Sequence, residues 1–268
     1  MLSWNGFTMR SRSYPMSLRL VMTAMNAAVY AGIGALWTAF PLLIFGVRFW
    51  PQVFVPATFS VLFGPWVGGV GAAIGIFLAD VIYGHHDALL SLLVGVPSNF
   101  VGFFIIGWLP NHDFRPLVRR LLLSLSLIIQ PAYALALVYS LYVLFGAAAL
   151  GSSTSYLGFA GLVVVFAVIA LFVLRNRWAD FEVAASIGLA LGTGIIGVGL
   201  VGYSAIFGLP MVLGLGTKPL AGAFIYLAAA SNYFTEIPFM VILTPPVASA
   251  CRAAFPSLLG RQRRSQRH

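Results

Sequence analysis

The sequence predicts an all-α membrane protein, a polytopic bundle of about eight transmembrane helices with both termini cytoplasmic. Of its 268 residues, 60% are hydrophobic and only 8% are charged, and the mean hydropathy is +0.98. A soluble domain has about a quarter of its residues charged, so this composition excludes one. The apolar runs are long enough for a hydrocarbon core of roughly 30 Å and lack the alternation of barrel strands. Because the backbone finds no water in lipid, these runs are predicted to be helices.

Polar segments divide the apolar sequence into eight predicted spans. Their bounds are 19–44, 51–64, 67–83, 89–109, 120–146, 158–174, 183–207 and 219–247. They form one transmembrane domain, residues 19–252, in which 150–207 is a candidate inserted hairpin. Residues 1–18 are predicted to be a cytoplasmic segment and 253–268 a basic cytoplasmic tail.

Arginines clustered at the ends of apolar runs account for most of the net charge of +9. With the amino terminus inside, every cluster falls on one side, as the positive-inside rule expects of cytoplasmic loops. The clusters are Arg10, Arg12 and Arg19; Arg115, Arg119 and Arg120; Arg175 and Arg177; and Arg252, Arg261, Arg263, Arg264 and Arg267. This placement argues against nucleic acid as a partner and predicts a multi-pass protein of the plasma membrane, with the lipid bilayer as its surroundings.

The first span has one face of small residues. At about 100° per residue, they fall within an arc of about 140°. They are Ala24, Ala27, Ala28, Ala31, Gly32 and Ala35. Small residues let helices approach closely in lipid. The partner along this face is either another helix of the same chain or a separate subunit.

Several segments occur together in the order and spacing of a known family. They are the AxxxA of the first span (Ala24 and Ala28), then RFWP, LFGPWVGGVGAAIGIFLAD and GVPSNFVGFFIIGWL. Together they resemble the substrate-binding (S) component of energy-coupling factor (ECF) transporters. The resemblance is good over roughly residues 20–110 and loose over 219–252.

This resemblance implies a six-helix membrane core that captures a vitamin, its precursor or a metal ion from outside. The cargo would then pass through a transmembrane T component driven by two cytoplasmic ATPase subunits. The small-residue face, with Ala24, Ala28 and Gly32, would be the surface that docks on the T component. The two additional spans predicted here would form an extra hairpin on that core.

Candidate ligand-binding residues lie in the predicted external loops. Arg48 suits a carboxylate or phosphate, or is an interfacial cation that contacts headgroups. Asp80 suits a cationic group or Arg48, or caps the third span. Trp50 and Tyr83 suit a flat heteroaromatic ligand. The loop sequence His85-His86-Asp87 has metal-ligating side chains, but adjacent loop histidines are more often merely exposed, so we predict no metal site.

Glu236 is the most unusual residue because it lies inside the last span. Insertion scales place the cost of a charge at the bilayer centre at about 2.5–3.5 kcal/mol. Asn232, four residues earlier, shares its helix face. The two residues either line a binding cavity, form a proton path or make a buried structural hydrogen bond. Asn99 is a weaker candidate of the same kind, since uncharged amides often join helices.

Catalytic motifs are missing from the sequence, which has no HExxH, GxSxG, P-loop or CxxC pattern. We therefore expect neither enzymatic activity nor a cofactor. An ATP-driven importer would need separate ATPase chains. The main alternative is a self-sufficient secondary transporter or permease with Glu236 as its coupling carboxylate; a membrane scaffold that assembles through helix 1 is a third hypothesis.

Overall fold

The computed structural model describes residues 14–38, 43–44, 47–48, 50–84, 87–146, 178–209 and 222–256. These ranges are helical apart from loops and an antiparallel pair of two-residue strands, β1 (Leu43–Ile44) and β2 (Val47–Arg48). Within these ranges, six helices are long and apolar enough to cross a membrane. They are α1 (Met16–Thr38), α3 (Pro65–Ile82), α4 (Ala88–Asn111), α5 (Pro116–Phe145), α6 (Ala179–Ile206) and α7 (Phe224–Ala254). The prediction of an all-helical, multi-pass membrane protein is confirmed.

Two of the predicted spans differ from the structure. The first was extended to residue 44, but α1 ends at Thr38 and residues 43–44 form β1. The second forms a 3-10 turn, Pro51–Val53, and the ten-residue helix α2 (Phe54–Phe63). Since α2 is about 15 Å long, it cannot cross the membrane alone. The predicted span 158–174 lies outside the described residues, so the count of eight stays a prediction.

The helices form a ring in which neighbours pack in the order α1, α3, α4, α6 and α7, closed by α2 between α7 and α1. The helix α5 packs on α6 and α7. Arg119 pairs with Asp180 at 2.7 Å, and the Tyr133 hydroxyl donates to the carbonyl of Ala190 at 2.6 Å. These pairings make α5 and α6 parallel, so residues 146 and 178 lie at opposite ends of the bundle.

Glycines permit the closest helix approaches in this ring. A Cβ on Gly68 of α3 would overlap the side chain of Ser60 in α2, and one on Gly71 would overlap Asn26 of α1. Gly64 joins α2 to α3 with φ +97°, a left-handed conformation that favours glycine. The turn between α2 and α3 therefore depends on Gly64, and the close packing beside it on Gly68 and Gly71.

The two ends of the bundle differ in charge. We call the end at which α1, α3, α5 and α6 begin the arginine end, and the opposite end the Asp80 end. Five arginines of the described ranges lie near the arginine end: Arg19, Arg115, Arg119, Arg120 and Arg252. The positive-inside rule assigns this end to the cytoplasm, and the cytoplasmic placement of both termini stays a prediction.

Candidate functional site

A cavity of about 150 Å³ lies inside the helix ring. Asp80, Ser91 and Leu200 line it near the Asp80 end, and it extends toward Leu189 and Ile106 in the interior. Its polar lining comes from α1, α3, α4, α6 and α7 and from the segment before α2: Tyr30, Trp50, Asp80, Ser91, Ser98, Asn99, Thr193, Asn232 and Glu236. Concave sites with a few convergent polar groups are the usual places for small ligands.

The segment Trp50–Val53, which precedes α2, closes one side of this cavity. The helix α1 continues from Tyr30 to Thr38, about 12 Å farther toward the Asp80 end. Trp50 nevertheless packs edge-on against Tyr30, and Pro51–Val53 is buried against α7. The chain has therefore turned back into the bundle before α2 begins. Backbone that departs from the α-helix is tolerated at such a depth where protein covers it or where it lines a cavity. Pro51–Val53 is buried in protein, and Trp50 lines the cavity.

A chain of hydrogen bonds holds this segment in place. The indole Nε1 of Trp50 donates to the Tyr30 hydroxyl at 3.0 Å, and that hydroxyl donates to Asn99 Oδ1 at 2.9 Å. Asn99 Nδ2 then donates to the carbonyl of Gly95 at 3.0 Å. These bonds connect the segment before α2 to α1 and α4. Asn99 lines the cavity as part of its wall, and both the oxygen and the nitrogen of its amide are hydrogen-bonded to the protein.

Two carboxyl groups line the cavity, and they differ in their hydrogen bonding within the described ranges. Asp80 accepts a hydrogen bond from Ser91 Oγ at 2.8 Å. Glu236 is only 6% exposed and makes no hydrogen bond or ion pair within the described ranges. Both carboxyl groups lie within electrostatic range of the Tyr30 hydroxyl. A buried carboxyl that lines a cavity with no described protein partner is a candidate ligand contact.

Asn232 adds an acceptor one helical turn before Glu236. Its Nδ2 donates to the carbonyl of Ala228 at 2.9 Å. Its Oδ1 accepts no hydrogen bond from the described part of the chain, and the residue lines the cavity. Glu236 and Asn232 therefore place two acceptor groups along one side of the cavity.

Five of the seven candidate ligand residues line this one cavity: Trp50, Asp80, Asn99, Asn232 and Glu236. Tyr83 does not, because α3 ends at Ile82 and Tyr83 follows it as a residue that is 45% exposed. The side chain of Arg48 is outside the described part of the structure, although its backbone forms β2. The ligand-binding roles of all seven stay predictions.

Metal-ligating side chains form no cluster of three within the described ranges. Asp87 instead caps α4, accepting hydrogen bonds from the amides of Leu89 and Leu90 at 3.1 and 3.0 Å. It also accepts one from the Tyr203 hydroxyl of α6 at 2.9 Å. His85 and His86 lie outside the described residues.

Sequence reasoning missed four polar residues of the cavity wall, Tyr30, Ser91, Ser98 and Thr193. A signal for Tyr30 was available, because Asn26 and Tyr30 are one helical turn apart and form a polar row in an apolar span. Ser91, Ser98 and Thr193 gave no such signal. Each is a small polar residue of a type that is common in membrane helices, and only the packing of α3, α4 and α6 brings them to the cavity.

The small-residue face of α1 is divided in the structure. Ala27 and Ala31 are buried, whereas Ala24, Ala28 and Gly32 are exposed, and a Cβ on Gly32 would meet no atom within 4 Å. One side of this face therefore packs inside the bundle, while the other side of the 140° arc is exposed. We call Ala24, Ala28 and Gly32 the α1 flank.

No family model, curated protein or solved structure matches this chain. The resemblance to S components therefore stays a prediction that depends on the motifs alone. The structure itself contains the cavity, its carboxyl groups and the exposed α1 flank. These features do not depend on that resemblance.

Tyr30→Phe should release the segment that closes the cavity. The change removes the acceptor for Trp50 Nε1 and the donor for Asn99 Oδ1, and an unsatisfied buried polar group costs about 1–3 kcal/mol. We expect a lower melting temperature in detergent. Tyr139→Phe is the matched control, since Tyr139 is exposed on α5. Equal melting temperatures for the two variants would show that the hydrogen bonds of Tyr30 do not hold the segment.

Proposed function

We propose that this chain is the substrate-capture membrane subunit of an ECF-type importer. It binds a vitamin-like small molecule, or a precursor of one, from outside the plasma membrane. It then delivers this cargo through a separate T component and two cytoplasmic ATPase subunits. The observation that carries the proposal is the cavity inside the helix ring, whose wall contains the buried carboxyl of Glu236 with no hydrogen-bond partner among the described residues.

Two further features support this proposal. The cavity reaches the Asp80 end, opposite the arginine end that the positive-inside rule assigns to the cytoplasm, as capture from outside requires. The α1 flank is exposed and lined by small side chains, as close docking of another membrane helix requires. The motif order of residues 20–110 adds the resemblance to S components.

Glu236 also favours one alternative function. A carboxyl buried in a membrane cavity suits proton coupling, so the chain on its own could be a secondary transporter. The two functions differ in what they require for transport. A capture subunit needs partner subunits and ATP, whereas a permease needs only a gradient across the membrane.

Reconstitution distinguishes these functions. The purified chain is first screened against vitamins and their precursors by thermal shift, and a radiolabelled form of the best ligand is then used with liposomes. We expect accumulation only when the T component and ATPases are present with ATP. Uptake by the chain alone, driven by a proton gradient and lost in Glu236→Gln, would instead establish the permease.

A further inference from the structure

The cavity wall contains two carboxyl groups and, within the described ranges, no basic side chain. Asp80 and Glu236 both line it, and no Lys, Arg or His does so within the described ranges. A buried carboxylate is costly in a low-dielectric interior unless an opposite charge or donated hydrogen bonds stabilise it. A cationic ligand would supply a partner for Glu236 that the described residues do not, whereas an anionic ligand would find no basic side chain among them.

Aromatic side chains form another part of the wall. Tyr30, Trp50 and Phe103 line the cavity, and Tyr30 packs edge-on against each of the other two, with ring centroids 6.5 Å from Trp50 and 6.2 Å from Phe103. The hydrogen bond from Trp50 to Tyr30 fixes the relative positions of those two rings. Aromatic rings attract cations electrostatically and pack well against flat molecules. This wall therefore suits a ligand that is both planar and positively charged.

The cavity has room for one aromatic ring. An engineered protein cavity of about 150 Å³ binds benzene, and the cavity described here has about the same volume. The side chains of Glu236 and Asn232 lie one helical turn apart and each offers an oxygen acceptor. A ligand with two neighbouring N–H donors can therefore contact both.

We infer that the cavity selects a small planar organic cation, a single ring bearing an amidine-like or amino-heteroaromatic group with neighbouring N–H donors. The inference names a substrate class for the proposed capture subunit and depends on that function only for its biological meaning. Glu236 is the charge partner, Asn232 the second acceptor, and Tyr30 and Trp50 the aromatic wall.

Three compounds of nearly equal shape test the charge preference on the full-length protein. They are benzamidinium, benzamide and benzoate, which are cationic, neutral and anionic. We expect benzamidinium to bind, by isothermal titration in detergent, at least tenfold more tightly than either of the others. Equal affinities, tighter binding of benzoate, or no binding of any of the three at 10 mM would overturn the inference.

Matched variants test the role of Glu236. Glu236→Gln should weaken benzamidinium binding roughly tenfold to hundredfold and remove its advantage over benzamide, whereas Glu236→Asp should retain that advantage. Glu182→Gln is the control, because Glu182 is also a buried carboxyl without a hydrogen-bond partner in the described part of the chain but does not line the cavity. A preference that survives Glu236→Gln, or that Glu182→Gln removes equally, would overturn the assignment. The wild-type series decides the charge class even if a variant does not fold.

These outcomes are separable from the fate of the proposed function. A cation preference together with uptake by the chain alone would refute the importer and leave the substrate class intact. A benzoate preference together with uptake that requires the T component and ATPases would refute the substrate class and leave the importer intact.

Discussion

Gly68→Ala is expected to lower the free energy of unfolding by about 3 kcal/mol, the upper part of the usual range for overpacking. The added Cβ would overlap the side chain of Ser60 and would lie 2.8 Å from the Ser60 Cα. Rotation of the hydroxyl cannot relieve this, since the Ser60 Cβ is also only 2.6 Å away. The Ser60 hydroxyl lies 2.9 Å from the carbonyl of Phe103 in α4, so a shift of α2 breaks a second contact.

Gly202→Ala is the matched control for this prediction. Gly202 lies in the interior of α6, and a Cβ there would meet no atom within 4 Å. Removing the backbone freedom of a helical glycine stabilises a helix by about 0.5–1 kcal/mol. The two variants should therefore shift the melting temperature in opposite directions when measured in the same detergent. A Gly68→Ala protein that melts at or above the wild-type temperature would show that α2 and α3 are not held in this close contact.

The helices themselves could be predicted because long apolar runs have few alternatives in lipid. The close packing at the small residues after Gly64 could also be predicted, since small residues four apart on a helix let another helix approach closely. Glu236 and Asn232 could be singled out because a charge inside a span is costly and needs a reason. These inferences depend on local composition and on the cost of burial, which a sequence carries directly.

The orientation of each helix was harder to predict for a physical reason. In a soluble protein the apolar side of a helix faces the core, but in lipid both the buried and the lipid-facing sides are apolar. The pattern of α1 therefore could not show that Ala27 and Ala31 pack inside while Ala24 and Ala28 are exposed. The return of the chain at Trp50 to the depth of Tyr30 likewise depends on contacts between distant segments.

Ala28→Trp is expected to abolish assembly with the T component while leaving ligand affinity unchanged. Ala28 is exposed at the centre of the α1 flank, between Ala24 and Gly32, and small side chains at this spacing let a second helix approach the backbone closely. An indole there would hold that helix away along the whole flank. The cavity is unaffected because Ala28 does not line it.

Leu135→Trp is the control that shows whether an indole anywhere on the bundle surface would prevent assembly. Leu135 lies on α5 and is 71% exposed, so this variant puts the same side chain on a different surface of the bundle. Co-purification with the T component and ATPases should fail for Ala28→Trp and succeed for Leu135→Trp, with ligand binding equal in both. Loss of ligand binding together with assembly in Ala28→Trp would mean that the flank serves folding. A complex that survives the change would place the docking surface elsewhere on the bundle, since no helix can reach the α1 backbone past an indole.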